Sequence, residues 1–145
     1  MNPAPSGTPG TDVNPVTLLI VEDEVLVRLV VAETLRDEGF HVLEAANADE
    51  AVTLLGSFSE IALVFTDIQM PGDMDGAGLA SFVRENYPDL AVITTSGGPT
   101  RPKADEAVIF IPKPYQPEDI VKRIESLLEK RGAGLPPGWS PSSAS

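Results

Sequence analysis

Five apolar runs of strand length punctuate this chain, and helical periodicity fills the gaps between them. The runs are "TLLIVE" (17–22), "HVLEA" (41–45), "IALVFT" (61–66), "LAVITT" (90–95) and "AVIFIP" (107–112). A strand with one face in water alternates apolar and polar residues, whereas three of these runs are almost continuously apolar. They need cover on both faces, the condition of a parallel sheet held between two helical layers. The intervening segments can supply that cover. After Glu24, "VLVRLVVAETLRDEG" places Val27, Val30, Val31 and Leu35 on one stripe, with Gly39 suited to the C-terminal cap. Asn47 followed by Glu50 forms a capping-box pattern that opens a helix with Ala51, Leu54 and Leu55 inward. "GAGLASFVREN" offers Leu79, Phe82 and Val83. Pro117 suits a first helical position, and Ile120, Ile124, Leu127 and Leu128 follow at helical spacing. The alternation predicts one doubly wound parallel α/β domain over residues 16–131.

The two ends read differently. Residues 1–15 are rich in Pro, Gly, Thr and Asn, and "GAGLPPGWSPSSAS" (132–145) carries no charged side chain. Both are expected to be disordered tails, because little in them can offset the entropy of ordering. Trp139 reads as an exposed linker residue, with a small docking anchor as the other possibility.

Charge and composition then narrow the function. With 22 acidic residues against 10 basic ones, a formal charge of −12 argues against a nucleic-acid surface. No cysteine is present, which excludes disulfides, thiolate metal sites and cysteine nucleophiles. A single histidine, His41, excludes multi-histidine zinc sites, and its place at a strand start suits an ordinary edge residue better than a phosphate carrier. No apolar run approaches the ~20 residues that span a bilayer. The N-terminus has neither the basic start nor the apolar stretch of a secretory signal. A soluble, cytoplasmic protein is expected.

In open α/β sheets, sites form beyond the carboxyl ends of the strands. At those ends stand Glu22-Asp23, Asp67, Thr95-Ser96 and Lys113-Pro114. Carboxylates gathered at close range repel unless a cation joins them, and Mg²⁺ is the hard ion that needs only a few carboxylates plus water. A lysine adds a point charge that can hold an anionic oxygen. Mg²⁺, an ammonium and a hydroxyl around a carboxylate are the parts that stabilise a phosphoryl group in transfer. An acyl phosphate on Asp67 is the simplest chemistry that fits. Asp73 and Asp75 are expected in a solvated loop outside the metal shell.

"LLIVEDE", "LVFTDIQMPGDMDG", "VITTSG" and "IFIPKPY" resemble the successive motifs of a response-regulator receiver domain, in that family's order and spacing. The resemblance implies a flavodoxin-like sheet of order 2-1-3-4-5 and, position by position, a set of roles. Asp67 is then the phosphoacceptor. Asp23 ligates Mg²⁺ directly, Glu22 directly or through water, and the Gln69 backbone carbonyl is a further ligand. Lys113 contacts the phosphoryl oxygens, and the Lys113–Pro114 bond is cis. Ser96 is the switch hydroxyl, with Thr94 and Thr95 adjacent, and Phe110 occupies the place of the switch aromatic. The glycines after Met70-Pro71 turn the chain so that the Gln69 carbonyl can face the metal.

The resemblance further implies a stand-alone, single-domain response regulator of two-component phosphorelays. Its phosphodonor is a phosphohistidine in a sensor histidine kinase or a histidine phosphotransfer protein, and its output is protein–protein contact with a downstream target, competition for a kinase, or disposal of phosphate. It catalyses only its own phosphotransfer and dephosphorylation; the acidic charge and the lack of a spanning apolar run argue against nucleic acid and membrane as partners. Two alternatives stand beside it: a Mg²⁺-dependent aspartyl-phosphate phosphohydrolase, and a receiver-like binding module that is not phosphorylated. Against the first, Gln69 stands where such enzymes often place an acid/base aspartate. Two departures from the family pattern are visible. The turn "PGDMDG" is one residue longer than usual, and only "GGPTRPKADE" (97–106), with Pro99 and Pro102, joins the last two strands. The fourth helix is therefore expected to be shortened or absent, with a mobile segment and a remodelled surface there.

Overall fold

The computed structural model describes residues 16–70, 72–97 and 108–130. Nine elements follow in order: β1 (Thr17–Val21), α1 (Val25–Asp37), β2 (His41–Ala45), α2 (Ala48–Ser57), β3 (Ile61–Asp67), α3 (Gly76–Asn86), β4 (Ala91–Ser96), β5 (Val108–Pro112) and α4 (Pro117–Lys130). The strands form one sheet of order β2-β1-β3-β4-β5. Every neighbouring pair is parallel. This is the flavodoxin-like topology expected from the sequence. No helix is described between β4 and β5; the connection, like the expected tails, lies outside the described residues.

The continuous apolar runs are explained by two cores, one on each face. Leu18 and Ile20 of β1 join Leu63, Phe65 and Ile93 under α1 and α4. Leu19 and Val21 point the other way, with Val64 and Val92, toward α2 and α3. Successive side chains of a strand face opposite sides, so both sets must be apolar when both sides are covered. β1 is buried along its whole length for this reason.

Local signals set the helix ends. The Asn47 side chain accepts the Glu50 N–H at 2.9 Å, while Glu50 Oε1 accepts the Ala46 N–H at 2.7 Å. The return bond of the predicted capping box thus reaches one residue further back. Gly39 follows α1 with φ of 100°, the left-handed conformation in which glycine carries no steric cost. Asp75, expected merely in a solvated loop, is exposed but caps α3 by accepting the Gly78 N–H at 2.8 Å. The inward stripe of α1 also differs from expectation. Val31, Ala32 and Leu35 are buried, while Val30 is 52% exposed.

Candidate functional site

β1, β3, β4 and β5 end at one edge of the sheet, where their terminal polar residues meet. Glu22 follows β1 and is buried, 1% exposed. Its N–H donates to the Ala45 carbonyl at 3.0 Å, and its Oε2 accepts the Glu24 N–H at 3.0 Å. Oε1 is different. It has no hydrogen-bond partner and lies 3.7 Å from Lys113 Nζ. Burial, reinforced by the Asp23 side chain and the Asp67 charge, outweighs the Glu24 N–H and Lys113 and pushes the Glu22 pKa up to about 7.

Asp67 is the last residue of β3 and is buried. Its Oδ1 accepts the Gln69 N–H at 2.9 Å, and its Oδ2 accepts from Lys113 Nζ at 2.6 Å. Burial opposes the lysine charge, but the hydrogen bond and charge of Asp67, with the charge of Glu22, leave the Lys113 pKa above its ordinary value. Asp23 is exposed beside this pair. One carboxylate oxygen each from Glu22, Asp23 and Asp67 lie within 4.8 Å of one another.

The two switch candidates occupy neighbouring strands. Ser96 ends β4, buried, and its carbonyl accepts the Lys113 N–H at 3.0 Å. Asp67 itself stands in register with Thr95, whose Oγ1 is buried without a hydrogen-bond partner. Phe110 lies half-buried on the edge strand β5, opposite Thr94. The Lys113–Pro114 peptide is cis, as expected.

Three further residues shape the site without having been singled out in the sequence. Gly76 is the first. A Cβ there would overlap the Asp67 carbonyl oxygen and carbon, so the opening of α3 approaches the β3 end as only glycine allows. The expectation that these glycines serve the turn holds for Gly72, at φ of 111°, whereas Gly76 serves close packing. Tyr115 is the second. It meets Phe65 edge-on at 6.0 Å, and burial, with the negative charge of Glu22, pushes its pKa up to about 12. Its position two residues after Lys113 was the only available hint. Arg28 is the third. It donates from Nη1 to the Glu22 carbonyl at 2.7 Å.

Beside the cluster runs an apolar face. Val25, Leu26, Leu29 and Val30 of α1 are the large hydrophobic residues left exposed among those described. Leu26, Val27 and Val30 border a groove of about 660 Å³ that Lys113, Pro114 and Tyr115 close on the other side.

Known proteins resemble this chain in sequence and in fold. The family model described as "Response regulator receiver domain" matches residues 18–125. The chain belongs to that family. It is 33% identical over 121 residues to the sensor kinase CckA of Brucella abortus, a match covering 79% of this chain and 13% of that one. Among solved structures, a receiver protein from Sinorhizobium medicae is 28% identical with a TM-score of 0.72, covering 81% of this chain and 97% of that one. A CheY-like receiver domain from Methanospirillum hungatei gives the same TM-score at 25% identity, covering 82% and 98%. The chain spans from 13% to about half the length of such curated relatives as the kinase and the regulators PetR and ResD. It is a receiver domain of two-component signalling, homologous to that of CckA. No helix among the described residues is long and apolar enough to cross a membrane.

Proposed function

We propose that the chain accepts a phosphoryl group on Asp67 from a phosphohistidine, with Mg²⁺ held by Glu22, Asp23, Asp67 and the Gln69 carbonyl. One observation carries this reading. The Asp67 carboxylate bears Lys113 Nζ at 2.6 Å and shares a 4.8 Å cluster with two further carboxylates. The donor set suits a hard divalent ion, being entirely oxygen, and Glu22 Oε1 is buried without a hydrogen-bond partner. When bound, Mg²⁺ offsets the negative charge of the carboxylates and of the phosphoryl oxygens.

The chain's own residues do the rest. An Asp67 carboxylate oxygen attacks phosphorus, the P–N bond breaks, and its electron pair leaves on the imidazole, which takes up a proton. Lys113 moves from Asp67 Oδ2 to a phosphoryl oxygen, and the Gln69 N–H steadies the other carboxylate oxygen. Ser96 and Phe110 then bias the domain toward its signalling conformation. The donor, a histidine kinase or histidine phosphotransfer protein, sets an amphipathic helix against the exposed α1 stripe beside the site. Such a donor places the chain in the cytoplasm. Catalysis extends only to the domain's own phosphorylation and dephosphorylation, and output passes through contact with a downstream protein.

Intact-mass measurement after incubation with acetyl phosphate tests this reading. One Mg²⁺-dependent, hydrolysable phosphoryl adduct is expected, absent in Asp67→Asn. An adduct that persists in Asp67→Asn moves the acceptor elsewhere. No adduct from acetyl phosphate or from a phosphohistidine donor, in protein that binds Mg²⁺, leaves a binding module.

A further inference from the structure

The peptide joining Glu22 to Asp23 links two residues that must present their carboxylates to one ion. It stands past the end of β1, where the β1–β3 ladder has already stopped at Val21 and Thr66. No strand is left to fix it. Its carbonyl instead accepts from Arg28 Nη1 at 2.7 Å. The same guanidinium meets Glu44 Oε1 through Nε at 3.2 Å, and the two side chains are only 17% and 27% exposed. Glu44 belongs to β2, the strand whose Ala45 carbonyl receives the Glu22 N–H. Glu22 is therefore tied at its N–H, its carbonyl and its Oε2, leaving Oε1 as the one oxygen without a hydrogen bond.

We propose that Arg28, braced by Glu44, is a positioning residue of the metal site: it locks the Glu22–Asp23 peptide so that both carboxylates converge before the ion arrives. The inference rests on the Mg²⁺ reading above. A charge-assisted bond to a carbonyl is among the stronger hydrogen bonds available, and the planar fork of arginine engages two partners at once. Without that bond ψ of Glu22 and φ of Asp23 are less restrained, and any rotation of one that the other does not cancel changes the relative aim of the two side chains. Groups that hold metal ligands from outside in this way commonly change metal affinity by about 10–100-fold when removed.

Arg36 supplies the control. It also binds Glu44, through Nη2 at 3.0 Å, but the backbone carbonyl it donates to is that of Val42, at 2.9 Å, rather than that of Glu22. A merely structural ion-pair network would make the two arginines equivalent. Positioning makes them different.

Titration of the full chain with MgCl₂, followed by backbone amide shifts, separates the cases. Arg28→Met should raise the Mg²⁺ dissociation constant about tenfold, and Glu44→Gln by a smaller factor. Arg36→Met should leave it within about twofold, as expected of a side chain outside the ligands' support. Arg28→Lys keeps the charge without the fork and should fall between, which keeps the idea open to test should Arg28→Met fail to fold. In acetyl phosphate labelling, the Arg28 variants should need more Mg²⁺ yet reach the wild-type rate at saturation. Wild-type affinity in Arg28→Met or Arg28→Lys overturns the inference, as does an equal loss in Arg36→Met. Wild-type protein that binds no Mg²⁺ overturns the functional reading itself, and this inference with it.

Discussion

Gly76 is where a single methyl group should do the most damage. Its missing Cβ makes room for the carbonyl of Asp67, so Gly76→Ala must push α3 away from the β3 end or displace the acceptor itself. Overpacking against backbone should cost about 3 kcal/mol or more. Urea denaturation should show that loss, and Asp67 should label more slowly at equal Mg²⁺ concentration. A variant with wild-type stability and labelling would show that α3 yields freely here. The acidic residues were legible in the sequence because a carboxylate directly after an apolar run is a one-dimensional feature. Gly76 was not, because its partner lies in another element and only the packing of α3 onto β3 brings them together. Arg28 escaped for the same reason: nothing in "EVLVR" says that its side chain turns back toward the Glu22 carbonyl.

At the scale of elements, α1 is the instructive helix. Its first two turns hold Val25, Leu26, Val27, Leu29, Val30 and Val31, so apolar residues surround the axis and periodicity alone cannot select the buried face. The choice fell to the sheet and α4, which took Val31, Ala32 and Leu35 and left Val30 in water. What looked like a core-facing stripe is partly an external one, adjoining the groove beside Lys113. Replacing Leu26 and Leu29 by serine should change stability by no more than about 0.5 kcal/mol each, as usual for surface sites. Transfer from a phosphohistidine protein that labels the wild type should fall at least about tenfold, the loss of one anchor side chain being worth 1–3 kcal/mol. Labelling by acetyl phosphate should continue. Undiminished protein-to-protein transfer would place the donor on another face.

At the scale of the whole molecule, the site is set against the stability of the fold. The pKa of Glu22 is about 7 in the folded chain against 4.5 ordinarily. Between those values the folded state keeps a proton that the unfolded chain has released, so stability falls as pH rises from about 4.5 through 7. The loss amounts to a few kcal/mol at most, at roughly 1.4 kcal/mol per unit. In EDTA, urea denaturation should therefore give a lower midpoint at pH 8 than at pH 5, and Glu22→Gln should flatten the difference. The formal charge of −12 adds general repulsion with the same sign, which the Glu22→Gln comparison removes. MgCl₂ should restore most of the loss at pH 8 in wild-type protein, since the ion binds the ionised site. A midpoint indifferent to pH in wild-type protein would mean that Glu22 is not held protonated.

The sequence by itself determined the alternation of strand and helix, the parallel sheet and the polar residues at its carboxyl edge. Each of these depends on periodicity and order along the chain, and both can be read in one dimension. The tertiary structure alone decided which α1 residues face water, why residue 76 must lack a side chain, and which arginine reaches the Glu22 carbonyl. Those outcomes depend on how separate elements pack on a common sheet, even where the residues are near in sequence, and no local pattern encodes that.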